Sequence, residues 1–489
     1  MPGNPLDERA AGVLLHPTSL PGPGTAGVLG SDAYRFVDLA EAAGFRVWQT
    51  LPLGPVDDTL SPYQLRSVHA GNPRLIDLLD LVRAGWLDRA EATGADRTID
   101  ARRQAVAQAH CRFSETAAAA EREELRSFAE REAAWLDDYS LFEAVSRERH
   151  GEPWWEWPDA LQRRDSAAVD AAMKQTSERR ADIVFEQFLF SRQWALLKAY
   201  ANDRGLRLFG DLPFYVDRNS VDIWCSRELF QLDSAGRPTL VSGVPPDYFS
   251  SDGQLWGHPL YDWERMAETG FRWWAERLST QLRRFDLIRL DHFRAFESHW
   301  AVPAAAKTAR DGRWVETPGD ALFRALADQL GSLPFVAEDL GMITPEVTAL
   351  RDRFGLPGLI VLQFAFDGST ENPYLPVNHI ENAVVYTGTH DNDTTLGWYA
   401  GLGSETRHYV TEVLGDGGTM PEALILAAYR SPARLSVVPM QDLLALGAEA
   451  RLNVPGTAKG NWRWRFEWEQ VDAGLAGRYA ELARRNGRL

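Results

Sequence analysis

The chain repeatedly builds a short apolar run and then stops it on a carboxylate. In Leu287-Ile288-Arg289-Leu290-Asp291-His292 one arginine is embedded in the run, which ends on Asp291 and His292. An apolar run of this length reads as a strand buried on both faces, as in a parallel sheet flanked by helices. A guanidinium inside it is costly unless paired. Arg289 and Asp291 are two apart, so on an extended strand they share a face, and Arg289 can hold Asp291 ionised and aimed. By itself the pair also reads as a plain ion pair closing a strand. The same pattern recurs in Pro334-Phe335-Val336-Ala337-Glu338-Asp339 and in Ala383-Val384-Val385-Tyr386, followed by Thr387-Gly388-Thr389-His390-Asp391-Asn392-Asp393. Three strand ends thus deliver acids, two of them with an adjacent histidine. Barrel enzymes keep their chemistry where strands meet the following loops. Cleaving a glycosidic bond asks for a carboxylate nucleophile, a carboxylic acid for the leaving oxygen, and polar groups on the sugar hydroxyls. Spacing alone does not choose between Glu338 and Asp339, or between Asp391 and Asp393.

The rest of the chain supplies the other strands of such a barrel. Gly12 to His16 reads as the first, running into a Pro/Gly-rich loop from Pro17 to Gly24. A helix from Ser31 as N-cap to about Ala43 leads to a second strand, Phe45 to Leu53. Leu206 to Gly210 is the third and delivers another acid, Asp211; Gly358 to Gln363 is the sixth and Leu435 to Pro439 the eighth. Eight strands with helices between most of them make a (β/α)8 barrel, and 489 residues accommodate one with large insertions. The whole chain, 1–489, is expected to be one catalytic domain. Residues 76–180, rich in Ala, Glu and Arg at helical spacing, are too long for a connection and read as a helical insertion between strands two and three. Their charge runs read as solvated helix faces. Within them, Trp154, Trp155 and Trp157 suit an anchor onto the barrel better than a sugar platform. Residues 211–263 read as a loop-rich insertion between strands three and four. Its stretch 243–257 is full of breakers yet carries Tyr248, Phe249 and Trp256, as a lid or substrate platform does; packing of those rings into the protein is the plainer reading. No strand-rich region follows the eighth strand.

These motifs, in this order from Gly12 to the C-terminus, resemble the 4-alpha-glucanotransferases of the amylomaltase (disproportionating enzyme) type, relatives of the alpha-amylases. The resemblance implies a transferase that moves a segment of an alpha-1,4-glucan, such as a maltooligosaccharide, to the 4-hydroxyl of another glucan or glucose, with retention. It implies Asp291 as nucleophile, Glu338 as acid and base, and Asp391 as the third acid. It places Tyr63 of Ser61-Pro62-Tyr63-Gln64 beside the sugar, Asp211 in support, and Tyr248, Phe249 and Trp256 over the acceptor side. Arg289, His292, His390 and Asn453 complete the implied substrate contacts. A retaining glucan hydrolase with the same site is the alternative, since no residue here settles whether water or a sugar takes the glycosyl group. A catalytically dead glucan-binding protein is disfavoured by the presence of all three acids.

Composition excludes other classes. A net charge of −17 argues against a nucleic-acid partner and is compatible with a neutral substrate. No phosphate-cradling glycine loop, zinc-type Cys/His spacing or Gly-x-Ser-x-Gly elbow is present, so no cofactor and no metal are expected. The histidines His292 and His390 sit beside carboxylates on separate strand ends, where the resemblance assigns them to sugar hydroxyls. Two cysteines, Cys111 and Cys225, are too few for a disulfide framework and read as reduced thiols in a cytoplasm. The first residues lack the apolar core of a signal peptide, and no run is long enough to span a membrane.

Overall fold

The computed structural model describes residues 6, 8–95, 98–246, 251–415, 417–457 and 459–489. Tyr248 and Phe249 lie outside these residues. Eight parallel strands succeed one another around a ring in chain order: β1 (Ala10–Leu14), β2 (Val47–Gln49), β3 (Arg207–Leu212), β4 (Leu287–Leu290), β5 (Phe335–Ala337), β6 (Gly358–Val361), β7 (Ala383–Tyr386) and β8 (Leu435–Pro439). The Ala337 N–H donates to Pro357 O at 2.8 Å, which joins β5 to β6 and completes a (β/α)8 barrel. Strand alternation sorts the side chains. Phe209, Leu287, Val336, Val384 and Tyr386 point into the barrel and form its inner core. Their neighbours Leu208, Ile288, Leu290, Phe335 and Ala337 point outward, into the core shared with the surrounding helices. The same two-residue period carries inward-facing positions from Phe209 to Asp211, from Leu287 to Arg289, and from Val336 to Glu338.

Helices Ser31–Ala42, Arg272–Arg284, Gly319–Leu330 and Pro345–Arg353 cover the barrel between successive strands. Ser31 is the first helical residue and Gly30 the N-cap, one residue off the expected cap. The helical segment before β4 is divided into Trp263–Glu268 and Arg272–Arg284, because Gly270 and Phe271 both take positive φ. Between β2 and β3 lies a set of helices including Ile99–Thr116, Ala119–Glu148 and Ser177–Asp203. The boundary expected at residue 180 falls inside the last of these, which both packs on Ala119–Glu148 and leads directly into β3. Not all its charges are solvated. Glu143 and Glu186 are buried, and Arg66 and Arg147 pair with them at 2.5 and 2.8 Å. Trp154 and Trp157 are buried, and the Trp154 indole donates to Arg218 O at 2.7 Å, which makes the tryptophan cluster an anchor.

A second sheet stands beside the barrel and corrects the reading of 243–257 as loop. Its antiparallel order is Gln254–Pro259, Leu240–Val244, Ser298–Pro303, Arg313–Glu316. The breakers Pro245, Pro246 and Gly253 fall between the first two of these strands in sequence, where a connection needs them, rather than marking the whole stretch as irregular. After β8 the described residues contain no further strand; helix Leu475–Arg485 closes the chain.

Candidate active site

The ring brings Asp211, Arg289, Asp291 and Glu338 together at the C-terminal end of the strands. Asp211 on β3 is paired in register with Arg289 on β4, and both side chains point inward. One guanidinium nitrogen, Arg289 Nη1, donates to both carboxylate oxygens of Asp211 at 2.9 Å and to Asp291 Oδ1 at 2.9 Å. Burial works against the charge of Arg289, but Asp211 and Asp291 outweigh it and hold its pKa well above the ordinary value. Among the described residues Asp291 Oδ2 accepts no hydrogen bond, so one oxygen is anchored and the other is available. The Asp291 side chain keeps 26% of its surface exposed, against 0% for Asp211. Asp211 is thus the buried counter-charge and Asp291 the carboxylate that faces the groove.

Glu338 extends the inward row of β5 beyond Val336. Its Oε2 accepts the His292 N–H at 2.8 Å and its Oε1 the Leu340 N–H at 3.2 Å. His292 reaches this position by adopting the left-handed region, φ 49° and ψ 50°, a conformation that costs a non-glycine residue about 1 kcal/mol or more. Burial pushes the Glu338 carboxyl up to about 8; Asp291 and Asp339 add to the shift, while Arg289 and the His292 N–H oppose it. A carboxyl protonated at neutral pH beside an available carboxylate is the division of labour that acid-assisted glycosyl transfer requires. Asp339 points the other way. It accepts from Arg351 and from the Leu359 N–H at 2.7 Å, and so ties β5 to β6. Gly358 makes room for this pair, since a Cβ there would meet Asp339 Oδ2 at 2.5 Å.

Across the barrel mouth, His390 and Asp391 come after β7. Tyr63 donates its hydroxyl to Asp211 Oδ2 at 2.8 Å and meets His390 Nε2 at 2.9 Å, so it bridges the two sides. His390 Nε2 also lies 3.4 Å from Asp391 Oδ2. Asn453 donates to Asp391 Oδ1 at 2.6 Å, and Arg451 binds the carbonyls of Asp391 and Asn453 at 2.8 Å each. With 48% of its side chain exposed, Asp391 is the carboxylate offered to the groove on this side. Asp393 instead accepts from the Thr394 N–H at 2.8 Å. Trp462 packs on both Tyr63 and His390 at ring distances of 6.0 Å. It is a site residue that the sequence reading did not assign, although the Asn461-Trp462-Arg463-Trp464 stretch carried its signal.

Above Glu338 and His292 stands the second sheet. Trp256, 36% exposed, meets the His292 ring edge-on at 4.8 Å. Burial lowers the His292 pKa to about 4, so the imidazole is neutral. Tyr248 and Phe249 belong to the connection preceding this strand and lie outside the described residues. Among the described residues no group of three or more His, Cys, Asp or Glu side chains is placed to share a metal ion, and no helix is long and apolar enough to cross a membrane.

Comparison with known proteins bears on the whole chain. The sequence pattern of the 4-alpha-glucanotransferase family matches residues 15–470. A 4-alpha-glucanotransferase of Thermus thermophilus is 47% identical over 98% of this chain and 99% of its own length. Among solved structures, the amylomaltase from Streptococcus agalactiae in complex with acarbose superposes with a TM-score of 0.95 at 34% identity, over 98% of this chain and 100% of that one. The amylomaltase from Corynebacterium glutamicum shares the fold with a TM-score of 0.77 at 21% identity, over 99% of this chain and 76% of that one.

Proposed function

The chain belongs to the 4-alpha-glucanotransferase family, and from that premise we propose that Asp291 is its nucleophile, Glu338 its acid and base, and Asp391 the third carboxylate, which grips the sugar. As a 4-alpha-glucanotransferase it passes a segment of an alpha-1,4-glucan from donor to acceptor; family membership favours this over the amylase-like alternative. The single observation that carries the site assignment is the split of carboxylate environments: Asp291 is anchored at one oxygen by Arg289, while Glu338, half-buried two strand positions beyond Val336, has its pKa pushed up to about 8 by desolvation and so stays protonated. In the first step the free oxygen of Asp291 attacks the anomeric carbon, the glycosidic bond breaks, and Glu338 gives its proton to the leaving 4-oxygen. In the second, Glu338 takes the proton of an acceptor 4-hydroxyl, which displaces Asp291 and restores both carboxyl groups. Two inversions give net retention. His390, Asp391 and Asn453 hold the hydroxyls of the donor sugar, and Tyr63 lines its face; Asp211 keeps Arg289 in place.

This reading lays the glucan along the barrel mouth, between the second sheet and the C-terminal segment. On this reading Tyr248, Phe249 and Trp256 cover the acceptor and limit water at the intermediate, and His292 serves the same side. That the amylomaltase from Streptococcus agalactiae is in complex with acarbose supports an alpha-glucan substrate for this chain. The two unpaired cysteines, Cys111 and Cys225, fit a cytoplasmic enzyme. Incubation with maltotriose is the test. Transfer yields glucose together with a ladder of longer chains; shortening alone, without longer products, contradicts it.

A further inference from the structure

The loop that carries His390 and Asp391 leaves the barrel at Thr387, directly after β7, and ends where helix Thr395–Gly401 begins. Thr387 and Thr395 are both fully buried, and both donate to one carboxylate, that of Asp442. Asp442 belongs to the short helix Met440–Leu443, which follows β8 without a break. Its Oδ2 accepts the Thr387 hydroxyl at 2.6 Å and the Thr395 hydroxyl at 2.7 Å, and its Oδ1 accepts the Thr395 N–H at 2.7 Å. One side chain thus pins both ends of the loop to the continuation of the neighbouring strand, since β7 and β8 are paired. The tip is held by other groups. Asn392 Oδ1 accepts the Thr389 N–H and hydroxyl at 2.9 Å each, while Asn453 and Arg451 bind Asp391 from the C-terminal segment. Asp442 is itself buried. Burial raises its pKa and the like charge of Asp393 adds to this, while the two threonine hydroxyls and the Thr395 N–H oppose both. A buried carboxylate is costly unless its bonds are made. Here the bonds come from three neutral donors, all at the two ends of one loop, and an ionised carboxylate suits them because it only accepts.

We propose that Asp442 is a positioning residue for glucan transfer: by pinning Thr387 and Thr395 it sets the aim of His390 and Asp391 toward the donor sugar. The inference rests on the reading of those two residues as donor-sugar contacts. Groups that stabilise a transition state must be held to within about 0.5 Å, and a misplacement of about 1 Å by a remote substitution can cost about 10²-fold in rate. A loop fixed only at its tip could tilt by such an amount; a loop whose two ends share one buried acceptor is held against it.

The test is maltotriose disproportionation by full-length variants whose circular dichroism at the assay temperature matches wild type. Thr387→Val and Thr395→Val each remove one hydroxyl and keep the shape. Each should lower kcat about fivefold, the rate equivalent of one hydrogen bond, with KM little changed. Asp442→Asn places an amide donor among three donors and should lower kcat about tenfold to a hundredfold. Replacing all three polar groups together, Thr387→Val with Thr395→Val and Asp442→Leu, should melt higher than Asp442→Asn, because partners removed together leave fewer groups unsatisfied, yet stay as slow. A kcat that recovers along with the melting temperature would make the cluster structural only and overturn the proposal. So would wild-type kcat in both valine variants, which decide the matter alone if the Asp442 variants do not fold. A crystal structure of Thr395→Val should show His390 and Asp391 displaced while the barrel strands superpose. Should His390→Ala and Asp391→Ala themselves leave kcat intact, the reading of the donor site fails, a result distinct from a harmless loss of the threonine hydroxyls.

Discussion

The barrel and the antiparallel sheet beside it treat burial in opposite ways. Every residue of β4 is buried, Arg289 included, and the arginine is tolerated only because Asp211 and Asp291 meet it. In Gln254–Pro259 the first four residues are exposed, on an edge strand. The barrel therefore fixes its polar groups through neighbours on three strands at once, which is what bond-breaking chemistry needs. The edge strand presents Trp256 over the groove with fewer constraints, which suits a choice between acceptors. If this division holds, substitutions in the barrel should change the rate of bond cleavage, and substitutions on the edge should change the fate of the cleaved donor fragment.

The largest effect is expected at Asp291. Asp291→Asn should reduce kcat by roughly 10⁴-fold or more while leaving the thermal transition nearly unmoved, since its side chain is partly exposed. Retained transfer would remove the nucleophile from the account. Glu338→Gln should cost about 10²–10⁴ in kcat. Wild-type activity should fall as pH rises through about 8, where Glu338 loses its proton. The same shift predicts a stability effect of definite sign. Between the ordinary value of 4.5 and about 8 the folded state holds a proton that the unfolded state has released, so Glu338 lowers stability as pH rises through that window. Glu338→Gln should remove this slope and melt higher than wild type at pH 8 relative to pH 5; an unchanged slope contradicts the buried, protonated acid.

Arg289→Met tests what the barrel costs to hold together. It leaves Asp211 buried without its counter-charge, and should destabilise by about 3–5 kcal/mol in denaturant titrations. A loss within experimental error would mean that the cluster is not the mutually dependent polar core described. The smallest effect is expected on the edge strand. Trp256→Ala should leave donor cleavage within a few-fold while raising the ratio of free glucose released by water to glucan transferred. Tyr248→Ala and Phe249→Ala should act in the same direction. A fall in cleavage as large as that of the barrel variants would erase the distinction between the two sheets.

The contrast also explains what could be read from the residues. Buried parallel strands announce themselves as apolar runs, and Leu287–Leu290 and Leu435–Pro439 match their expected bounds. Glu338 and Asp339 appeared interchangeable by composition, yet strand parity separates them. Val336 faces the barrel interior, so Glu338 does too, and Asp339 must face out toward Arg351. The antiparallel strands were hidden because Ser298–Pro303 and Arg313–Glu316 come after β4 without a long apolar run, and because the Gly/Pro content of 243–257 masks the strands flanking its breakers. Buried pairs such as Arg147–Glu186 within a charged helical segment were equally invisible, since their partners are far apart in the chain.

The central claim is that the donor fragment is stored on Asp291 while the leaving group and acceptor exchange. The most direct measurement traps that species with a 5-fluoro-alpha-glucosyl fluoride, whose fluorine slows the second displacement, and locates the added mass by peptide mass spectrometry. The account predicts one glycosyl ester, on the peptide containing Asp291, released when maltose is supplied as acceptor. Label on any other carboxylate, or turnover of the donor to a beta-configured first product with no ester formed, would contradict it.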